Sequence, residues 1–307
     1  MTSPAALVGT VFAAGGGLYE VRLASGDLVE AALRGRLKQE RRTGDRVVIG
    51  DQVTVVRSGD LWTVESVAPR DSELVRRGAG GRLAKVVAAN VRRVLAVVAA
   101  RDPDVSLGLV DRLLVVAESS GVPPVLVVNK IDLPGGREKA AELAGLYGGI
   151  GYRVLQVSVA LREGLGALEA ELENGTSVLV GPSGAGKSSI LNALQPQLEL
   201  RTGGLSVRTG RGRHATVSAR LIPLSCGGTV ADTPGFGDVG LWGVPPEDVG
   251  GCFPELVALV EECRFRGCAH LREPDCAVRE AVGGAVAESR YRSYVTLRGE
   301  AAEQAQD

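Results

Sequence analysis

Apolar and polar positions along the chain alternate in two different ways. From about residue 7 to 68 short alternating runs, Leu7–Phe12, Leu18–Leu23, Leu28–Leu33, Arg46–Val56 and Leu61–Val67, are broken by Gly15-Gly16-Gly17, Ser25-Gly26-Asp27, Thr43-Gly44-Asp45 and Ser58-Gly59-Asp60. Period-two runs with turn residues at this spacing predict five short strands and a small β-barrel. From about 92 to 243 the pattern changes. Strand-like runs at Val94–Ala99, Val125–Val128, Arg153–Val157, Ser177–Val180, Thr216–Leu224 and Thr229–Ala231 alternate with helical periodicity near 107–119, 136–147, 163–173 and 187–195. Continuous apolar strands between helices predict a mainly parallel sheet covered on both faces. Residues 244–307 read as short helical stretches around a Cys/His cluster.

Composition changes this picture in two respects. The formal net charge is −1, but residues 1–100 hold fifteen Lys/Arg against ten Asp/Glu, so the front is about +5 and the remainder about −6. Arg34, Arg36, Lys38, Arg41 and Arg42 fall on one segment between strands. A barrel with a basic loop suits an oligonucleotide, although the same charges can simply solvate a structural barrel. No segment combines basic flanks with an apolar stretch, and no apolar run approaches the ~18 residues of a membrane span. A soluble, cytoplasmic monomer without membrane contact is therefore expected, with the five Cys suited to a metal rather than to disulfides.

The candidate chemistry lies mostly in the alternating region. Gly181-Pro182-Ser183-Gly184-Ala185-Gly186-Lys187-Ser188 follows an apolar strand and opens a helix, the context in which glycine-freed amides wrap phosphate oxygens. Lys187 would meet the β- and γ-phosphates, Ser188 would ligate Mg²⁺, and Ser189 continues the turn. Asn129-Lys130-Ile131-Asp132 follows another apolar strand. A carboxylate at Asp132 can accept from both N1–H and the 2-amino group of guanine, a pair that adenine does not offer. Asn129 would reach the N7 side and tie loops together, with the Lys130 stem over the base. Ser158-Val159-Ala160 resembles the loop whose backbone N–H groups meet guanine O6. Asp232-Thr233-Pro234-Gly235 has the form in which Asp holds Mg²⁺ through water and the Gly N–H senses the γ-phosphate. Thr216 is the candidate switch threonine for Mg²⁺.

The base-reading motif precedes the phosphate loop, the reverse of the usual order. The helix near 163–173 runs through Glu173-Asn174-Gly175-Thr176 into the phosphate-loop strand. A circular permutation accounts for both features, and is physically reasonable because chain ends lie near one another at surfaces. Its new end falls just after Gly235, so the γ-phosphate sensor would run into residues 244–307.

Cys263, Cys268, His270 and Cys276 offer three thiolates and one imidazole, a full set for one tetrahedral, structural Zn²⁺. Cys226 and Cys252 fall outside the cluster and read as core residues.

This order, with a barrel before and a Cys/His cluster after, resembles the ribosome small subunit-dependent GTPase A family (RsgA, also called YjeQ). Further matching stretches are Arg70 in V-A-P-R, Ala88-Ala89-Asn90-Val91, Asp111-Arg112-Leu113-Leu114, Glu273-Pro274-Asp275-Cys276-Ala277-Val278 and Ser293-Tyr294. The resemblance implies an α/β chain: an OB-fold RNA-binding barrel over 1–69, a circularly permuted P-loop GTPase domain over 70–243, and an α-helical zinc-binding domain over 244–307. It implies GTP and GDP as ligands, the small ribosomal subunit and its rRNA as partner, and hydrolysis stimulated by the ribosome late in maturation.

Two departures stand out. A run of threonines is reduced to His214-Ala215-Thr216-Val217, and Arg92 replaces a frequent acidic residue. Phe236 stands where many GTPases carry a water-orienting Gln, which leaves His214 as the catalytic candidate, its alternative being contact with RNA phosphate. Two other functions remain open: a nucleotide-gated rRNA-binding module with incidental hydrolysis, and an NTPase serving a metal or redox substrate.

Overall fold

A computed structural model describes residues 6–34, 47–77, 84–198, 219–232 and 244–306. Five strands, β1 (Ala6–Gly15), β2 (Leu18–Leu23), β3 (Leu28–Leu33), β4 (Gln52–Ser58) and β5 (Leu61–Val67), close in the order β1-β2-β3-β5-β4-β1. The β3–β5 pair is parallel and the others are antiparallel. Alternate residues Val11, Tyr19, Val21, Leu23, Ala31, Val53, Val55 and Val64 point inward and make the barrel core.

The run expected as one strand over Arg46–Val56 joins the barrel only at Gln52, while Ile49 bridges to Ala88 instead. Asp51, fully buried, accepts a hydrogen bond from Val48 N at 2.8 Å and turns the chain there. Arg70 meets both oxygens of Asp51, at 2.7 and 3.0 Å, and Glu73 at 2.9 Å. These hydrogen bonds hold its guanidinium above the usual arginine range although burial opposes the charge. A hairpin not read in the sequence follows, β6 (Glu73–Arg77) with β7 (Ala84–Ala89). Asn90 fastens it to the barrel, donating to Gly50 O and accepting from Asp71 N, both at 2.9 Å. The Arg70 and Ala88–Val91 stretches are thus the joint between barrel and sheet.

The second sheet is ordered β10-β9-β8-β11-β13-β12, from β8 (Val91–Ala99), β9 (Pro124–Asn129), β10 (Arg153–Gln156), β11 (Thr176–Val180), β12 (Ala219–Pro223) and β13 (Thr229–Asp232). All neighbours are parallel except β12–β13. Val94, Ala96 and Val98 face helices α1 (Leu107–Glu118) and α2 (Gly136–Ile150). Leu95 and Val97 face α3 (Leu165–Leu172) and α4 (Lys187–Leu194). Period two in a strand buried on both faces is why these runs are apolar throughout. The phosphate-loop strand β11 lies in the middle of the sheet, although β8, β9 and β10 precede it in the chain. β12 also pairs with β1, Ala13 opposite Arg220 and Ala14 opposite Ala219, so barrel and sheet are one continuous hydrogen-bonded surface.

The C-terminal region holds short helices α5 (Pro254–Val257) and α6 (Ala277–Glu280) and the long α7 (Glu288–Gln306). Its core of Val249, Phe253, Leu256, Val278, Val286, Tyr294 and Leu297 takes in Val115 from α1. Arg290 on α7, fully buried, donates to Asp111 Oδ1 at 2.8 Å and to Glu255 at 2.6 and 3.1 Å. Arg112 and Glu300 form a two-toothed pair at 2.5 and 2.6 Å. The Asp111–Leu114 stretch is therefore where the sheet domain meets the Cys/His domain. No helix among the described residues is long and apolar enough to cross a membrane.

Candidate functional site

The phosphate loop leaves β11 at the centre of the sheet and ends on the first turn of α4. Gly181 has φ 145°, and a Cβ there would lie 2.0 Å from Val97 O, so no other residue fits between β8 and the loop. At Gly186, φ 94°, a Cβ would lie 2.2 Å from Asn129 Nδ2. This second approach joins the two nucleotide motifs. Asn129 Nδ2 donates to Ala185 O at 3.0 Å, across 56 residues of sequence. The loop-tying role expected of Asn129 is visible in that bond.

Lys187 is drawn into the loop, its Nζ donating to Gly181 O at 2.6 Å and Pro182 O at 2.9 Å. Burial lowers its pKa. Those carbonyls hold the ammonium where phosphate oxygens would otherwise neutralise it. Ser188, 8% exposed, sits on the first turn of α4.

Asp132 Oδ1 accepts a hydrogen bond from Ser158 Oγ at 2.6 Å, and Ser158 Oγ in turn accepts from Leu161 N at 3.0 Å. The expected contribution of the Ser158 segment shifts accordingly. Ser158 N–H already donates to Glu163 O at 3.0 Å, which leaves the Val159 and Ala160 amides for the O6 contact expected of this segment. Ser158 itself aims the Asp132 carboxylate. Lys130, in the left-handed region at φ 61°, donates through Nζ to Asp102 O. Ile131 is buried beneath the motif.

Asp232 ends β13, next to β11 in register with Val178 opposite Ala231, which brings its carboxylate beside the strand that feeds the phosphate loop. It is 7% exposed and its Oδ1 has no partner among the described residues. Burial pushes its pKa up to about 6 from 3.8. An orphaned buried carboxylate on the strand next to the one that feeds the phosphate loop fits a hydrated Mg²⁺, which takes oxygen ligands and keeps its waters. The pKa has a measurable consequence. Because the folded value is raised, the contribution of the protonated acid to stability is complete below about pH 4. It is lost as pH rises through about 6. Asp232→Asn is therefore expected to stabilise the metal- and nucleotide-free protein at pH 7.5 by about 1–3 kcal/mol, with little effect at pH 4. Chemical denaturation at the two pH values checks this, and equal effects at both would contradict it.

Thr216, His214 and Gly235, with Thr233, Pro234 and Phe236, lie outside the described residues, as do Arg36, Lys38, Arg41 and Arg42 of the basic loop. Arg34 is described and pairs with Glu65.

The second site is the Cys/His cluster. The donor atoms of Cys263, Cys268, His270 and Cys276 all lie within 4.8 Å of one another. Cys263 Sγ is 3.6 Å from His270 Nδ1 and 3.9 Å from Cys276 Sγ, and His270 Nδ1 is 3.4 Å from Cys276 Sγ. A tetrahedron with metal–sulfur bonds near 2.3 Å and a metal–nitrogen bond near 2.05 Å has edges of about 3.8 and 3.6 Å. Cys263, His270 and Cys276 are thus spaced like three corners of such a tetrahedron, with the Cys268 thiol within 4.8 Å of each, so the four side chains could hold a metal ion. Glu273 supports it by accepting from the backbone N–H of Ala269, Leu271 and Arg272 at 2.9, 2.9 and 3.0 Å. Backbone hydrogen bonds of this kind hold its carboxyl down at about 2. Tyr294 and Tyr291 on α7 donate to Ala269 O and His270 O at 2.5 and 2.7 Å. Glu273 and Tyr294 of the stretches singled out in the sequence thus brace the loop that carries Cys268 and His270. Cys252 lies in the domain core and Cys226 packs against the sheet core, as read from the sequence.

A family model described as RsgA GTPase matches residues 67–242. A relative from Gemmatimonas aurantiaca, "Small ribosomal subunit biogenesis GTPase RsgA", is 46% identical over 95% of this chain and 96% of its own length. A protein of the same name from Geobacillus thermodenitrificans is 38% identical over 95% and 96%. Among solved structures, YjeQ from Thermotoga maritima superposes with a TM-score of 0.82 at 31% identity, covering 97% of this chain and 99% of that one. YloQ, titled a circularly permuted GTPase, gives 0.77 at 29% identity over 98% and 96%.

Proposed function

Because the chain belongs to the RsgA GTPase family, we propose that it binds the small ribosomal subunit late in maturation and hydrolyses GTP there to GDP and phosphate. The relatives carry small ribosomal subunit biogenesis in their names. The observation that supports the reading most strongly is the bond from Asn129 to Ala185, which locks a guanine-reading loop onto a phosphate loop.

In this reading Gly181 to Ser189 wrap the phosphates, Lys187 leaves its carbonyls for the β- and γ-oxygens, and Asp132, aimed by Ser158, reads the guanine edge. Ser188, Thr216 and Asp232 hold Mg²⁺, and Gly235 senses the γ-phosphate. A Mg²⁺ ion held by these residues would supply neutralisation of negative charge on the phosphates. His214 orients the attacking water, since Phe236 cannot. Cys263, Cys268, His270 and Cys276 hold one structural Zn²⁺, which cross-links the C-terminal domain. The basic barrel and the exposed Arg264, Arg266 and Arg272 near the Cys/His loop meet rRNA phosphates, Arg264 from its pair with Asp275. The site of action is the cytoplasm, and the chain acts as a monomer.

Hydrolysis as the release step makes one prediction. With a non-hydrolysable GTP analogue the protein is expected to co-sediment with small subunits, while with GTP it is recovered mainly free. Equal co-sedimentation in both would favour a nucleotide-gated RNA-binding module whose hydrolysis is incidental.

A further inference from the structure

The loop from Ala100 to Asp104, between β8 and α1, carries none of the nucleotide motifs and yet touches both nucleotide loops. Ala100 N donates to Asn129 O at 2.8 Å, and Asp102 O accepts from Lys130 Nζ. The Pro103 ring lies against the phosphate loop, where a Cβ at Gly184 would be 3.3 Å from its Cδ. Arg101 covers the far end of the base-reading loop. A Cβ at Gly135 would lie 3.1 Å from Arg101 Nη2 and 3.4 Å from Nε, so the guanidinium rests directly on the backbone that leads into α2. Its Nη1 is 3.3 Å from each Asp104 oxygen. Its Nε is buried and has no partner among the described residues.

The loop under Arg101 is short and tightly folded. A Cβ at Gly136 would fall 2.8 Å from Lys130 O, and Leu133 N and Gly136 N bond back within the loop at 3.2 and 2.8 Å. Asp132 is exposed at the surface of this loop, with Pro134 and Gly135. One side of its carboxylate is fixed by Ser158, and the backbone that carries it is held by Lys130 at one end and by Arg101 at the other.

We propose that Arg101 is a positioning residue for guanine recognition, a clasp that holds the Lys130–Gly136 loop so that both Asp132 oxygens meet the N1–H and 2-amino groups together. The inference rests on the assignment of Asn129 to Asp132 as the guanine-reading motif. A planar guanidinium can lie flat on a peptide while its fork holds Asp104. An ammonium can do only one of these. Loss of the plane lets the loop shift, and two hydrogen bonds to one base edge tolerate little displacement.

The test compares equilibrium binding of GDP and IDP, which lacks the 2-amino group, in the full chain. Arg101→Lys, with Arg101→Ala as a second variant, is expected to weaken GDP on the order of tenfold and IDP only about twofold, so that the GDP/IDP preference falls roughly fivefold. Were Arg101 merely structural, melting temperature would drop and both nucleotides would weaken by the same factor. An unchanged preference in Arg101→Lys overturns the proposal. Asp132→Asn separates this failure from that of the premise, because an amide can donate to the 2-oxo group of xanthine and should turn preference from GDP to XDP. If Asp132→Asn makes no such turn, the guanine-reading assignment itself fails and the clasp with it. If it does and the GDP/IDP ratio of Arg101→Lys is still that of wild type, the clasp alone is wrong.

Discussion

Cys276→Ala is expected to unfold the segment from Val244 to Val286 while leaving GDP binding within about threefold of wild type, because the metal's free energy is spent locally. The reasoning starts from how little else holds this segment. Its helices α5 and α6 are four residues each, far below the length at which a helix is stable alone. Its core is a single cluster that borrows Val115 from the neighbouring domain. Small domains of this kind depend on a cross-link. A structural zinc contributes on the order of 10 kcal/mol to folding of comparable peptides, a large share of what holds so small a segment together. Cys276 is also 2% exposed and sits against Val278 and Tyr294 in that core. Hydrogen exchange should show loss of protection over 244–286 with protection retained in β8, β9 and β11. Removal of the metal with a strong chelator should reproduce the pattern. Protection unchanged after chelation would mean that the four side chains carry no structural metal.

Arg290→Ala comes next in size. The guanidinium is 0% exposed and is shared by Asp111 and Glu255. Burial works against its charge, but the Glu255 and Asp111 bonds outweigh it and hold the group above the usual arginine range. Three aromatic rings, Phe253, Tyr147 and Tyr152, lie 4.5, 5.6 and 5.8 Å from its carbon. Tyr147 also donates to Asp111 Oδ1 at 2.6 Å. Deleting the cation leaves Asp111 and Glu255 buried and uncompensated, a loss of about 3–5 kcal/mol. Chemical denaturation at pH 7 measures it. The triple replacement Arg290→Met, Asp111→Asn, Glu255→Gln should recover part of that loss, since most of the penalty is stranded charge rather than a lost bond. A cost below about 1 kcal/mol for the single variant would mean that water reaches the triad.

The same residues show which parts of the fold were legible in the sequence. Strand and helix positions in the sheet domain could be read because each element buries a long apolar face. β2, β3 and β5 match the sequence reading residue for residue. The residues that the structure brings together, Asn129 with Ala185 and the three Cys with His270, stood out because the chemistry proposed for them demands fixed residue types at short spacing. The β4 start was misread because Val47, Val48 and Ile49 continue the apolar run, whereas the turn is made by Asp51, whose partner Arg70 lies 19 residues on. The β6–β7 hairpin was missed because its strands are short and its buried residues, Leu74, Ala88 and Ala89, are few. Asp111 stood in a stretch that the resemblance marked, but nothing local tied it to Arg290. They are 179 residues apart, and only the fold makes them partners. The bond from Ser158 to Asp132, 26 residues apart, is likewise a tertiary fact that no local pattern announces.

The central claim is that hydrolysis in this chain answers to the small subunit. The most direct measurement is GTP turnover with and without purified small subunits over a salt series, for wild type and His214→Ala. Small subunits should raise wild-type turnover on the order of tenfold or more, as an added catalytic group does in other GTPases. That gain should fall steeply with salt, as contacts to RNA phosphates require, and His214→Ala should lose it while binding GTP like wild type. Turnover that is the same with and without small subunits at every salt concentration would contradict the account.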